Sequence, residues 1–78
     1  MSEDQFIELV EEILEVEAGI ISMESSLDDA DWDSLANISF IAEVDQKANV
    51  TLDAQRLADA EIVRDLFSLV QEALEAKQ

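Results

Sequence analysis

The hexapeptide Asp31-Trp32-Asp33-Ser34-Leu35-Ala36 is the segment whose residue types could carry chemistry. It sets one hydroxyl, on Ser34, between a carboxylate and an aliphatic side chain at the expected start of a helix. The Asp33 side chain can accept hydrogen bonds from the free amides of that first turn. A phosphate carried on the Ser34 hydroxyl would lie beside uncompensated N–H groups and the positive end of the helix dipole, which favour an anion even in acidic surroundings. The position therefore suits a phosphodiester. On these residues alone ordinary capping accounts for Asp-Ser equally well. A calcium loop would use Asp29, Asp31 and Asp33 as its first, third and fifth positions. It fails because the sixth is Ser34 where the turn needs Gly and the twelfth is Phe40 where a bidentate Glu is needed. No metal site is assigned, and Glu43 with its acidic neighbours is expected to hold divalent cations only loosely, to relieve repulsion.

The rest of the composition narrows the chemistry further. The chain has 78 residues, read as a single domain over 1–78, with 20 Asp plus Glu against 4 Lys plus Arg, a net charge of −16, and neither His nor Cys. A Cys nucleophile, a His base, a zinc site of the usual ligands and a disulfide framework are all excluded. No catalytic residue is assigned, and a stand-alone hydrolase built on Asp and Glu pairs would lack room for a substrate cleft. Residues 1–46 hold 14 acidic residues and no basic one. Such a field repels nucleic acid and anionic membranes and attracts partners with basic patches. No apolar run is long enough to span a bilayer, and MSEDQF has no basic segment ahead of an apolar one, so membrane insertion is not expected and the cytoplasm is the expected location. Folding should depend on salt or divalent cations, because a small core must outweigh carboxylate repulsion.

Four elements must position the serine. Ser2 and Gln5 have capping-box spacing, and Phe6, Leu9, Val10, Ile13 and Leu14 follow at helical intervals, predicting a helix from Glu3 to about Glu17 with Gly19 as its stop. Glu8, Glu11, Glu12 and Glu15 read as its solvated face. Ile20 to Trp32 loses the period and reads as a long ordered loop pinned by Leu27 and Trp32. A second helix should run from Asp33 to about Ala48, stopped by Asn49. Its apolar residues cover more than half the circumference: Phe40, Ile41 and Val44 read as core. Leu35, Ile38 and Ala42 are either an exposed docking strip or buried against a short third helix. A helical turn at Ala54–Ala58 carries Leu57. A last helix from about Ile62 to Ala76 aligns Val63, Leu66, Phe67, Val70 and Leu74, with no clear N-cap. The class is all-α, a small four-helix bundle of three main helices plus one short one.

This layout resembles the acyl carrier protein family over essentially the full chain. The resemblance rests on size, acidity, helix order, Asp33-Ser34-Leu35 at the second helix, Phe40-Ile41-Ala42-Glu43-Val44-Asp45 within it, Val50-Thr51-Leu52-Asp53, and Ile62-Val63-Arg64-Asp65-Leu66. It implies that Ser34, flanked by Asp33 and Leu35, receives 4′-phosphopantetheine from coenzyme A through a separate Mg-dependent phosphopantetheinyl transferase. The imported thiol would hold acyl groups as thioesters, which fits a non-catalytic chain without Cys or His. The resemblance further implies recognition by acyl-loading and acyl-transferring enzymes with basic patches through Leu35, Ala36, Ile38, Ser39, Ala42, Glu43, Asp45 and Gln46. It also implies a monomer with an acyl pocket beside Ile38, Phe40, Ala42, Leu57, Ile62 and Leu66. Ala36, Ser39 and Gln46 are uncharged where the fatty-acid-synthesis type usually has acids. Asp31-Trp32 replaces a small Gly-containing pair, and Ile62 replaces a common threonine. These departures are more similar to discrete carriers of specialised lipid, polyketide or other secondary pathways.

Two alternatives remain at this level. An acidic interaction module or DNA mimic without a prosthetic group explains the charge but not the helix-start serine. A peptidyl or aminoacyl carrier would share the same architecture.

Overall fold

The computed structural model describes residues 2–77. Helix α1 (Glu3–Leu14) opens with the expected capping box: the Ser2 hydroxyl accepts the Gln5 N–H at 3.2 Å and the Gln5 side-chain oxygen accepts the Ser2 N–H at 3.1 Å. It ends three residues before the expected Glu17. Glu15 adopts a left-handed conformation, φ 57°, and the Val16 N–H turns back to the Glu11 carbonyl at 3.1 Å. Gly19, φ 94°, is not the stop but a turn in the following loop.

That early stop corrects a second expectation. Glu11 is not solvated like Glu8, Glu12 and Glu15; it is 6% exposed, because the chain doubles back over it after the left-handed turn. Its carboxylate accepts N–H groups from Gly19 and Ile21. Leu27 is buried, and half-buried Trp32 meets Phe40 edge-on with ring centroids 5.6 Å apart, so both anchors hold the loop as expected. The Trp32 indole N–H also donates to the Asn37 side-chain oxygen.

Helix α2 (Ser34–Ala48) begins at the Asp33 cap and stops at Asn49, φ 58°. The short α3 (Ala54–Ala58) is capped by Asp53, whose carboxylate accepts the Gln55 N–H at 2.9 Å. Helix α4 (Val63–Lys77) has its cap supplied from a distance. The Val63 and Arg64 N–H groups donate to the carbonyls of Ser25 at 3.0 Å and Met23 at 2.8 Å. The Leu27 N–H returns to Glu61 at 2.9 Å, and Asp65 accepts the N–H groups of Glu61 and Ile62. The long loop thus fastens to the start of α4 and satisfies amides that would otherwise be orphaned.

The core gathers Phe6, Val10, Phe40, Val44, Leu57, Val63, Leu66 and Val70, all essentially inaccessible. Phe6 lies edge-on to both Phe40 and Phe67, with centroids 5.7 and 5.1 Å away. Each such side chain contributes about 1.5–3 kcal/mol by leaving water, which offsets the repulsion of the acidic surface. Among the described residues there are four helices and no strand, only an isolated bridge between Ser26 and Ile62.

Candidate functional site at the start of α2

The Asp33 carboxylate accepts the Ala36 N–H at 2.9 Å, and the Asp33 carbonyl accepts the Asn37 N–H at 3.0 Å. The cap therefore belongs to Asp33. Ser34 is exposed at the first helical position, and its hydroxyl enters no hydrogen bond among the described residues. It is a free nucleophilic oxygen beside the dipole-positive end of a fifteen-residue helix. Asp31, two residues before the cap, sits at φ 60°. This is the left-handed region that Gly occupies without strain and that Asp tolerates better than most residues.

Beyond Ser34 the helix splits into two faces. Ala36, Phe40 and Val44 point into the core, whereas Leu35 is 70% and Ile38 64% exposed, with Ala42, Asp45 and Gln46 exposed on the same side. Of the two expectations for Leu35, Ile38 and Ala42, burial against the short third helix is not what the bundle does: all three are exposed. Ala36 leaves the expected partner-facing set: it is buried, two positions out of phase with Ile38. Ser39 is half-buried. Glu43 is half-buried as well, with its carboxylate 3.9 Å from the Lys47 amine, which lies equally close to Glu12.

The six residues expected to share an acyl pocket occupy three different places. Phe40, Leu57 and Leu66 are sealed in the core, Ile38 and Ala42 face outward, and Ile62 borders an open depression of about 560 Å³ with Asp28, Asp59 and Glu61. A second depression of about 340 Å³ lies between the end of α1 and the start of α2, lined by the neighbours Asp33 and Leu35 but not by Ser34 itself. Ile13, Leu14, Leu35 and Ala36 form its apolar part, and Glu15, Asp31 and Asp33 its acidic part. Neither Glu15 nor Ile13 was singled out in the sequence for this site.

The described cations are committed elsewhere. Lys47 sits between Glu12 and Glu43, Arg56 meets Glu72 at 2.6 Å, and Arg64 meets Glu24 at 2.6 Å. The hydrogen bond and charge of Glu24 hold the Arg64 guanidinium above its ordinary range. Asp31 and Asp33 have no ion-pair partner among the described residues, so the surroundings of Ser34 are negative. No cluster of three potential metal-ligating side chains occurs among the described residues, nor any helix long and apolar enough to cross a membrane.

Comparison with known proteins gives these features a context. Residues 4–70 match the family described as "Phosphopantetheine attachment site". No curated protein matches the chain by sequence. Among solved structures, the acetyl actinorhodin acyl carrier protein from Streptomyces coelicolor is similar in fold with a TM-score of 0.84 and 20% identity, covering 100% of this chain and 95% of that one. The holo acyl carrier protein from Geobacter metallireducens is similar with a TM-score of 0.75 and 24% identity, covering 95% of this chain and 86% of that one.

Proposed function

Since this chain belongs to the phosphopantetheine-attachment family of acyl carrier domains, we propose that Ser34 is the residue that bears its 4′-phosphopantetheine. The observation that carries the assignment is the division of labour at α2. Asp33 supplies the cap, leaving the Ser34 hydroxyl exposed and without a hydrogen-bond partner among the described residues. The residues fit the group: a phosphodiester there meets first-turn amides on a helix N-terminus, and Leu35 offers an exposed apolar surface alongside. When bound, the arm supplies a thiol that carries acyl groups as thioesters, chemistry this Cys-free chain cannot supply itself.

The chain's own work is to hold, orient and present. Carriers of this family work with a phosphopantetheinyl transferase and with acyl-handling enzymes. Here the presenting surface is the strip of Leu35, Ile38, Ala42, Asp45 and Gln46, apolar at its centre and acidic at one end. A basic partner surface would find both a hydrophobic contact and a complementary charge on it. The protein acts as a cytoplasmic, non-catalytic monomer. The uncharged Ser39 and Gln46 favour a specialised lipid, polyketide or other secondary pathway over primary fatty-acid synthesis. The fold likeness to an acetyl-loaded actinorhodin carrier is consistent with that reading. An acyl chain that enters the bundle would do so beside Ile62 and must part Phe40, Leu57 and Leu66, which are closed in this state.

Incubation with coenzyme A, Mg²⁺ and a broad-specificity phosphopantetheinyl transferase tests the assignment. The parent should gain one arm and a folded Ser34→Ala variant none.

A further inference from the structure

The depression between the end of α1 and the start of α2 has an apolar wall and a polar edge. Ile13 and Leu14 meet Leu35 and Ala36 across it, and Glu15, Asp31, Asp33 and Ser39 complete the lining. Ser34 is not part of the wall but is bonded in the chain to two of its residues, Asp33 and Leu35. Glu15 and Asp31 are exposed and enter no ion pair among the described residues. At about 340 Å³ the space is at the lower end of small-molecule clefts and too small for a helix or a strand.

That lining selects its ligand. A plain alkyl chain would strip water from the carboxylates without replacing their hydrogen bonds, and an anion would be repelled. The occupant it fits is uncharged, with methyl groups on one side and O–H or N–H donors on the other. A pantoyl unit is built that way, with two geminal methyls, an adjacent hydroxyl and an amide N–H. Tethered at the neighbouring residue, such a unit meets the wall at an effective concentration on the order of millimolar, so modest contacts suffice to hold it.

Resting on Ser34 as the attachment residue, we propose that this crevice seats the pantoyl part of the protein's own prosthetic arm in the unacylated holo form. The two methyls lie against Ile13, Leu14 and Leu35. The hydroxyl and the amide N–H donate to Glu15 and Asp31, which as carboxylates are strong acceptors. The phosphodiester remains outside, at the first-turn amides of α2, and the thiol end projects past the crevice. The arm therefore leans toward the end of α1 and not toward the depression at Ile62.

The test is isotope-filtered NMR on labelled holo protein carrying an unlabelled arm, with the apo protein alongside. Cross-peaks should run from the pantoyl methyls to the methyls of Ile13, Leu14 and Leu35, and loading should shift the amides of residues 13–15 as well as those around Ser34. In a folded Glu15→Gln/Asp31→Asn variant the shifts at residues 13–15 should shrink, because two charged acceptors are lost. Cross-peaks confined to Ser34 and Leu35, cross-peaks to Ile62 instead of Ile13, or shifts unchanged by the double substitution would overturn the proposal. Intact mass reads the attachment separately. A parent that never gains the arm refutes the attachment reading and the seat with it, whereas a loaded parent whose arm touches neither Ile13 nor Leu14 refutes the seat alone.

Discussion

The carboxylate of Glu11 accepts the backbone N–H of Gly19 at 2.8 Å from a position almost closed to solvent. The same oxygen lies 3.4 Å from the Ile21 nitrogen. One acidic side chain on α1 thereby ties down the beginning of the loop that leads to Ser34. Glu11→Ala orphans both amides and should cost about 2–3 kcal/mol in urea unfolding, while Glu11→Gln, which keeps an acceptor oxygen, should cost less. An Ala variant within about 0.5 kcal/mol of the parent would show that the loop is held by Leu27 and Trp32 instead.

Glu15 ends α1 in a left-handed conformation with a side chain ill suited to it. Glu15→Gly removes that strain and should raise stability by about 1 kcal/mol. Gly19 is also at positive φ, but a methyl group there would meet only open space, so Gly19→Ala should lose a similar amount through backbone strain alone, about 1 kcal/mol. Thermal melts of the two variants should therefore move in opposite directions.

Trp32 joins the loop to the core by ring contact with Phe40 and by its indole hydrogen bond to Asn37. Trp32→Phe keeps much of the packing and loses the hydrogen bond, a loss of about 1 kcal/mol. Trp32→Ala also opens a cavity and should lose about 3 kcal/mol. Equal losses in denaturant unfolding would mean that the ring contact contributes little.

At the site itself the cap and the hydroxyl should separate cleanly. Asp33→Ala removes the acceptor of the Ala36 N–H and should cost about 1 kcal/mol, whereas Ser34→Ala should stay within about 0.5 kcal/mol of the parent. A larger loss for Ser34→Ala than for Asp33→Ala in urea midpoints would reverse the assignment of the cap.

Charge should show in the salt response. With 20 acidic residues and three described cations engaged in surface pairs, added NaCl screens more repulsion than attraction. The melting temperature should rise between about 10 and 200 mM salt, where the Debye length falls from roughly 30 Å to below 10 Å. A falling melting temperature would mean that the ion pairs outweigh the repulsion.

Much of this architecture was legible because it is local. The Ser2 and Gln5 capping box and the Asp33 cap lie within four-residue windows, and the outward strip of Leu35, Ile38 and Ala42 follows from helical periodicity. The cap of α4 was not legible, because its acceptors are the carbonyls of Met23 and Ser25, remote in the chain. The burial of Glu11 depends on a chain reversal at Glu15, a residue type that gives no left-handed signal. The expected acyl set mixed opposite faces of one helix: Ile38 and Phe40 are about 200° apart around α2, so one looks outward while the other is sealed inside. The depression lined by Ile13, Leu14, Leu35 and Ala36 needed the end of α1 brought against α2, a tertiary fact.

The central claim is that Ser34 carries the prosthetic arm, and peptide-mapping mass spectrometry of the transferase reaction tests it most directly. The expected result is one phosphopantetheine per chain, found on the peptide containing Ser34 and absent from Ser34→Ala. An arm located on Ser22, Ser25, Ser26 or Ser39, or a folded parent left unmodified by a transferase that converts a known carrier in the same tube, would contradict it.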